Sequence, residues 1–277
     1  MSTRRASLFG TLRGGLHRLH EIFALWFGLI LLGILSLSWS SLSFVLYYLL
    51  PRRWAVPIGR WGVTTGFRLY LWALSLIGAC RFDFSALDSL RDQGPLIIAP
   101  NHPCMLDAVM VISRLPNLAC IMKADIVDNV FLGAGARMAS YIRNDAQLSM
   151  IKQAVAELKN GSQLLLFPEG TRTTRWPVNV CKGTTALIAM RANVPIQTVF
   201  IETNSAYLSK GWPLFKRPAM PITYHFRLGR RFDPPQKASV FTAELERYFI
   251  DALRDAPRFL PSDAPEAAEL NPHHHAG

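Results

Sequence analysis

The chain has 277 residues, half of them hydrophobic, and a formal net charge of +11 at neutral pH. A basic, apolar-rich chain points to an anionic partner, either nucleic acid or an anionic lipid surface. Its four cysteines, Cys80, Cys104, Cys120 and Cys181, form no close pair. That spacing excludes a disulfide framework and a zinc cluster and fits a reducing, cytoplasm-facing domain.

From Ile22 to Leu50 the chain carries no charged residue, a run of 29. This exceeds the roughly 20 residues that a helix needs to cross a bilayer core. It is too long for a signal peptide, and no small-residue cleavage site follows it. Ser36, Ser38, Ser40, Ser41 and Ser43 mark its middle, with Trp39 among them. Both a tilted single span and a bent, re-entrant pair remain open. Arg4, Arg5, Arg13 and Arg18 precede the run; Arg52, Arg53, Arg60 and Arg68 follow it. Positive charge on both flanks sets no orientation for a single span and fits a hairpin with both ends on the cytoplasmic face. The apolar run Leu69 to Cys80 is too short to span and is expected to pack on the globular domain or lie in the interface.

Leu96-Ile97-Ile98-Ala99 reads as a buried strand ended by Pro100. Asn101-His102-Pro103-Cys104-Met105-Leu106-Asp107 follows at the strand end, where an α/β sheet opens its site. A helix starting near Pro103 would let Asp107 turn back to His102. A carboxylate on one imidazole nitrogen fixes the tautomer and makes the other nitrogen a better base. A second apolar run, Leu164-Leu165-Leu166, leads into Phe167-Pro168-Glu169-Gly170-Thr171-Arg172, which supplies a tight turn, a hydroxyl and a guanidinium suited to phosphate oxygens. Around these motifs the pattern predicts helices over Gln147–Lys159, Lys182–Arg191 and Ala238–Leu253. It predicts strands over Gln163–Phe167, Pro195–Ile201 and Ile222–Leu228. The alternation implies an α/β sheet covered by helices. From Pro257 the chain turns rich in Pro, Ala and acid and reads as a disordered tail, with His273, His274 and His275 a poor metal site. Gly133-Ala134-Gly135 lacks the third glycine of a dinucleotide loop, and His20-Glu21 lacks the second histidine of a zinc helix.

The two motifs, in this order, resemble the glycerophospholipid acyltransferase family, whose best-known members acylate lysophosphatidic acid. The family's first motif is matched by Asn101, His102 and Asp107, its third by Phe167 to Arg172. Arg143 is the match to a basic residue that helps bind the acceptor phosphate, although Arg137 stands where a glycine is expected before it. Val194-Pro195-Ile196 matches the apolar fourth motif, with Thr198 in place of a second proline. Cys104 stands where serine is common and reads as a small buried residue rather than a nucleophile. The resemblance covers approximately Gly94 to Ile201.

It implies a single α/β acyltransferase domain with a central mixed sheet over residues 82–255. An N-terminal membrane-embedded anchor would occupy residues 1–81, and a tail residues 256–277. The implied reaction moves a fatty acyl group from acyl-CoA or acyl carrier protein to the free hydroxyl of a lysophospholipid acceptor, 1-acyl-glycerol-3-phosphate, giving phosphatidic acid. The chain would work at a membrane, the inner or cytoplasmic one, with its catalytic domain facing the cytoplasm. No cofactor and no metal are implied. His102 and Asp107 would be catalytic; Glu169, Gly170, Thr171, Arg172 and Arg143 would bind substrate, with Glu169 orienting Arg172 and the turn rather than taking a proton. Lys182-Gly183 reads as a solvated helix start, with closure of the site as the alternative reading. Another lysolipid or lipid-like biosynthetic intermediate is the alternative acceptor, and a non-catalytic lipid-binding protein the alternative class. Nucleic acid is set aside, because the basic patch of Lys216, Arg217, Arg227, Arg230 and Arg231 suits anionic lipid equally well and lacks an interleaved aromatic platform.

Overall fold

The computed structural model describes residues 2–129 and 133–256, with side chains from Gly14 onward. The tail expected beyond Pro257 lies outside the described residues. The chain begins with two long helices, α1 (Ser2–Leu49) and α2 (Arg52–Leu76). The elements that follow are β1 (Cys80–Asp83), α3 (Ser85–Asp88), β2 (Ile97–Pro100), α4 (Asp107–Arg114), β3 (Leu118–Met122), α5 (Ala124–Val127), α6 (Gly133–Met138) and β4 (Ile142–Arg143). After these come α7 (Gln147–Lys159), β5 (Gln163–Leu165), α8 (Thr184–Ala192), β6 (Ile196–Thr203), β7 (Ile222–Phe232) and α9 (Ala238–Ala252).

The strands form one seven-stranded sheet in the order β1-β7-β6-β2-β5-β3-β4. Strands β6, β2, β5, β3 and β4 run parallel, whereas β7 pairs antiparallel with β6 and parallel with β1. The mixed α/β sheet is therefore as expected. Strands alternate their side chains between two cores, as a period of two requires. Ile98, Leu165, Val199, Tyr224 and Phe226 face a core shared with Tyr70 and Leu71 of α2 and Met110 and Val111 of α4. Ile97, Leu164 and Phe200 face the opposite core, closed by Ile151 of α7, Ile188 of α8 and Leu245 of α9.

Of the two readings of the apolar run, the N-terminal helices depart from the one bent within it. Helix α1 continues unbroken through the serines, and the chain reverses at Leu50-Pro51, at the end of the run. Helical serines can return their hydroxyls to the preceding turn and do not break a helix. Proline has no N–H to continue α1, but its fixed φ suits the start of a new helix; Pro51 is the N-cap residue of α2, at φ −63°. Ser40 and Ser43 are buried, on the side of α1 turned to the protein. The Trp39 ring lies where Gly62 of α2 and Gly135 of α6 leave room; a Cβ on Gly62 would meet it at 2.0 Å and one on Gly135 at 2.7 Å.

Helix α2 is longer than its apolar end predicted, and two of its arginines hold it to the domain rather than flanking a membrane span. Arg60, only 5% exposed, donates to Ala139 O at 3.1 Å, Asn117 Oδ1 at 2.9 Å, Ser162 Oγ at 2.8 Å and Glu157 Oε2 at 2.6 Å. Arg68 donates to Ser113 O at 2.7 Å. A buried guanidinium is tolerable only with its donors satisfied in this way. The apolar stretch Leu69 to Leu76 packs on the domain as expected, through Tyr70, Leu71 and Leu74.

Candidate active site

Strands β2, β5 and β6 end side by side, and the two motif loops leave from the ends of β2 and β5. Asn101 closes the edge of the sheet by imitating a strand residue. Its Nδ2 donates to Ile201 O at 3.1 Å and its Oδ1 accepts from Ile201 N at 2.7 Å. His102 is then pinned at both backbone groups. Its N–H donates to Glu169 Oε1 at 2.9 Å, and its carbonyl accepts from Thr173 N at 2.8 Å. Phe167 stacks on the imidazole, with ring centroids 3.8 Å apart and planes 16° from parallel.

Helix α4 starts at Asp107, not near Pro103, so the aspartate occupies the first turn of the helix. That place suits a carboxylate, because the free N–H groups and the helix dipole favour negative charge there. Asp107 is fully buried, and its Oδ2 lies 2.8 Å from His102 Nδ1. The same Oδ2 accepts from Cys104 N at 2.8 Å, and the Cys104 thiol donates to Oδ1 at 3.0 Å. A buried carboxylate with these partners accepts a proton-bearing Nδ1, which leaves Nε2 as the basic nitrogen. Burial, followed by the Asp107 charge, pushes the Cys104 thiol well above the ordinary cysteine range. Cys104 is therefore a small buried donor, as the sequence reading favoured, and its bond to Asp107 had no sequence signal beyond its proximity.

Glu169 holds the turn, as expected, while the Arg172 side chain is held by other partners. Glu169 is buried and accepts three bonds: Oε1 from His102 N and from Thr173 Oγ1 at 2.8 Å, Oε2 from Asn179 N at 2.8 Å. Burial pushes its carboxyl up, while the bonds from Asn179, Thr173 and His102 pull it back. Glu169 thus ties the two motif loops together. The turn after it needs φ +67° at Gly170, and the Lys182 side chain covers that glycine so closely that a Cβ would meet Nζ at 2.7 Å. Arg172 Nη1 donates to Leu208 O at 2.9 Å and Ser209 O at 3.0 Å, while Asn179 Nδ2 donates to Arg172 O at 3.0 Å. The guanidinium is fixed by the loop after β6, a partnership that nothing in its own motif foretells. Thr171 is half-buried beside it.

Arg143 is not brought to this group. It lies on edge strand β4, with β5 and β3 between β4 and β2, and pairs with Asp128 at 2.6 Å and Asp145 at 2.6 Å. Thr198, where a proline is common, is buried and donates to Arg230 O at 2.7 Å. All four cysteines are free and buried. Among the described residues no group of His, Cys, Asp and Glu could hold a metal ion. The basic patch is partly paired within the protein: Arg217 with Glu21, Arg227 with Glu202 at 3.1 Å and Arg230 with Glu244 at 3.3 Å.

A carboxylate-held imidazole at the strand ends of a mixed α/β sheet is an arrangement suited to general base catalysis. Residues 81–202 match the family model described as Acyltransferase. The chain is an acyl-transferring enzyme, similar to the glycerophospholipid acyltransferases. It is 24% identical over 190 residues to the 1-acyl-sn-glycerol-3-phosphate acyltransferase of Pseudomonas aeruginosa, an alignment covering 66% of this chain and 72% of that one. Its fold is shared with the crystal structure of the 1-acyl-sn-glycerophosphate (LPA) acyltransferase PlsC from Thermotoga maritima. The TM-score is 0.62 at 16% identity, covering 85% of this chain and 97% of that one.

Proposed function

We propose that the enzyme transfers a fatty acyl group from a thioester donor to the free hydroxyl of 1-acyl-glycerol-3-phosphate, giving phosphatidic acid. The observation that carries this reading is the buried Asp107 carboxylate at 2.8 Å from His102 Nδ1. His102 Nε2 takes the proton of the acceptor hydroxyl as its oxygen attacks the thioester carbonyl. The carbon–sulfur bond then breaks and the thiolate leaves, taking back the proton as thiol. A positioned base of this kind contributes about a hundred- to ten-thousand-fold in rate. Arg172 and Thr171, on the turn at Gly170, hold the acceptor phosphate and align its hydroxyl, an effect that can exceed that of the base. Glu169 acts on the reaction through the His102 backbone. A phosphate reaches Arg143 only by displacing Asp128 or Asp145. The name of the Pseudomonas relative supports this acceptor.

The reading includes work at a membrane surface. Among the described residues one helix, over Gly14–Leu49, is long and apolar enough to cross a bilayer by length and composition. Its exposed residues include Phe23, Ile30, Ile34 and Phe44, and α2 adds Trp54, Trp61 and Trp72. Helix α1 is tied to the domain at the start and in the middle of its apolar part. Glu21 accepts from Met220 N at 3.3 Å and pairs with Arg217, and Trp39 seats against Gly135. A helix lying along the protein in this way favours insertion of the hairpin into one leaflet over a free span.

Thiol release by the purified protein in detergent tests the reaction, with palmitoyl-CoA and lysophosphatidic acid supplied together and separately. Acceptor-dependent release with phosphatidic acid as product is expected. Equal release without acceptor, or none with any lysolipid and any thioester, would contradict it.

A further inference from the structure

A cavity of about 250 Å³, lined by both polar and apolar groups, opens beside the His102 loop, and the reaction above gives it no role. Asn101 and Pro103, which flank His102 in the chain, form one wall with Thr173, whose N–H holds the His102 carbonyl. Glu202, Asn204, Thr223 and His225, from the end of β6 and the start of β7, form a second wall. Trp176, Pro177 and Leu253 form a third, apolar one. Thr223 and His225 alternate along β7 with Tyr224 and Phe226, which face the core shared with α2. The cavity's strand wall therefore points away from the hairpin.

The strand wall carries donors and acceptors together. Asp83 Oδ2 lies 3.0 Å from His225 Nδ1, which holds the ring and leaves Nε2 for a ligand. Register places Asp83, His225 and Glu202 at paired positions on three adjacent strands. Amide groups need this mixture of partners, and short aliphatic stretches between amides need an apolar wall. Exposed Arg175 adjoins Trp176 in the chain and brings positive charge to the rim, where Arg254, beside Leu253, is paired with Asp251 at 2.6 Å.

We propose that this cavity seats the phosphopantetheine arm of the thioester donor, with its sulfur end toward His102 and its phosphate toward the arginine rim. The inference rests on the acyl-transfer reading and deepens it. The lysolipid reaches His102 from the hairpin side and the donor arm from the opposite side of the sheet. The same arm is carried by CoA and by acyl carrier protein, so both donors belong in the test.

Thr223→Trp would fill the cavity from its strand wall, and His225→Ala would remove one polar partner at an exposed position. Both variants of the full chain are assayed in detergent with palmitoyl-CoA, with palmitoyl-acyl carrier protein and with S-palmitoyl thiophenol, which has no arm. The expected result is a donor KM raised tenfold or more in Thr223→Trp and about threefold in His225→Ala. The KM for lysophosphatidic acid and the rate with the thiophenol ester stay unchanged. A rise for one arm-bearing donor alone names the source of the arm. Unchanged donor KM in both variants, or an equal loss with the armless ester, overturns the proposal while leaving acyl transfer intact. A wild-type protein inactive with all three donors overturns the transfer reading, and this proposal with it.

Discussion

Two histidine–aspartate pairs lie at the same edge of the sheet. His102 and Asp107 meet at 2.8 Å, His225 and Asp83 at 3.0 Å, each through Nδ1. Their surroundings separate them. The Asp107 side chain is 0% exposed and that of His102 17%, against 50% for Asp83 and 53% for His225. Asp107 is held by the Cys104 N–H and thiol within a helix start, and His102 by Glu169, Thr173 and Phe167. The Asp83 carboxyl is held below the usual range first by the Ser85 hydroxyl and N–H, and only then by His225. The same contact is a braced, sheltered imidazole in one place and a water-screened pair in the other. Burial and bracing decide which, because screening removes most of the mutual effect of exposed charges.

The comparison breaks most sharply at the imidazole. His102→Ala is expected to lower turnover by about a hundred- to ten-thousand-fold with the fold retained, read as phosphatidic acid formed per minute beside the circular dichroism spectrum. Asp107→Asn keeps the volume but favours the wrong tautomer, and a loss on the order of a thousandfold is expected in kcat. Near-normal kcat in Asp107→Asn would remove the carboxylate from the account. Arg60→Ala extends the comparison to a third charged group, one buried for stability rather than chemistry. It leaves Glu157 without its cation, with only the Ser140 and Ser162 hydroxyls beside it, and is expected to cost about 3–5 kcal/mol in denaturant unfolding. Cys104→Ser should change kcat by no more than a few fold. In the wild type, iodoacetamide at pH 8 should leave Cys104 unlabelled until the protein is unfolded, because burial keeps the thiol protonated.

Much of this was legible in the chain. Helix α7 has the bounds that its spacing predicts, and β5, α8, β6, β7 and α9 fall within a few residues of theirs. Each is a long periodic run or an apolar run between breakers, for which local pattern and tertiary packing agree. The short strands β1 and β4 were not legible as elements, since pairing partners far along the chain make them strands. The start of α4 was misplaced because Pro103 permits a helix start, whereas the tie from Asp107 back to Cys104 delays it to Asp107. In the site, the residue types of both motifs could be read, but not the partners of Glu169 and Arg172. Those partners, Thr173, Asn179, Leu208 and Ser209, lie in loops without periodicity. Helix α2 was obscured by its arginines, which resemble membrane flanks until the polar groups around Arg60 are seen.

The most direct measurement sets His102→Ala beside Asp83→Ala, each assayed for phosphatidic acid from palmitoyl-CoA and lysophosphatidic acid at saturating concentrations. The account predicts loss of product in the first variant and wild-type turnover in the second. Wild-type turnover in His102→Ala, or equal losses in both, would contradict it.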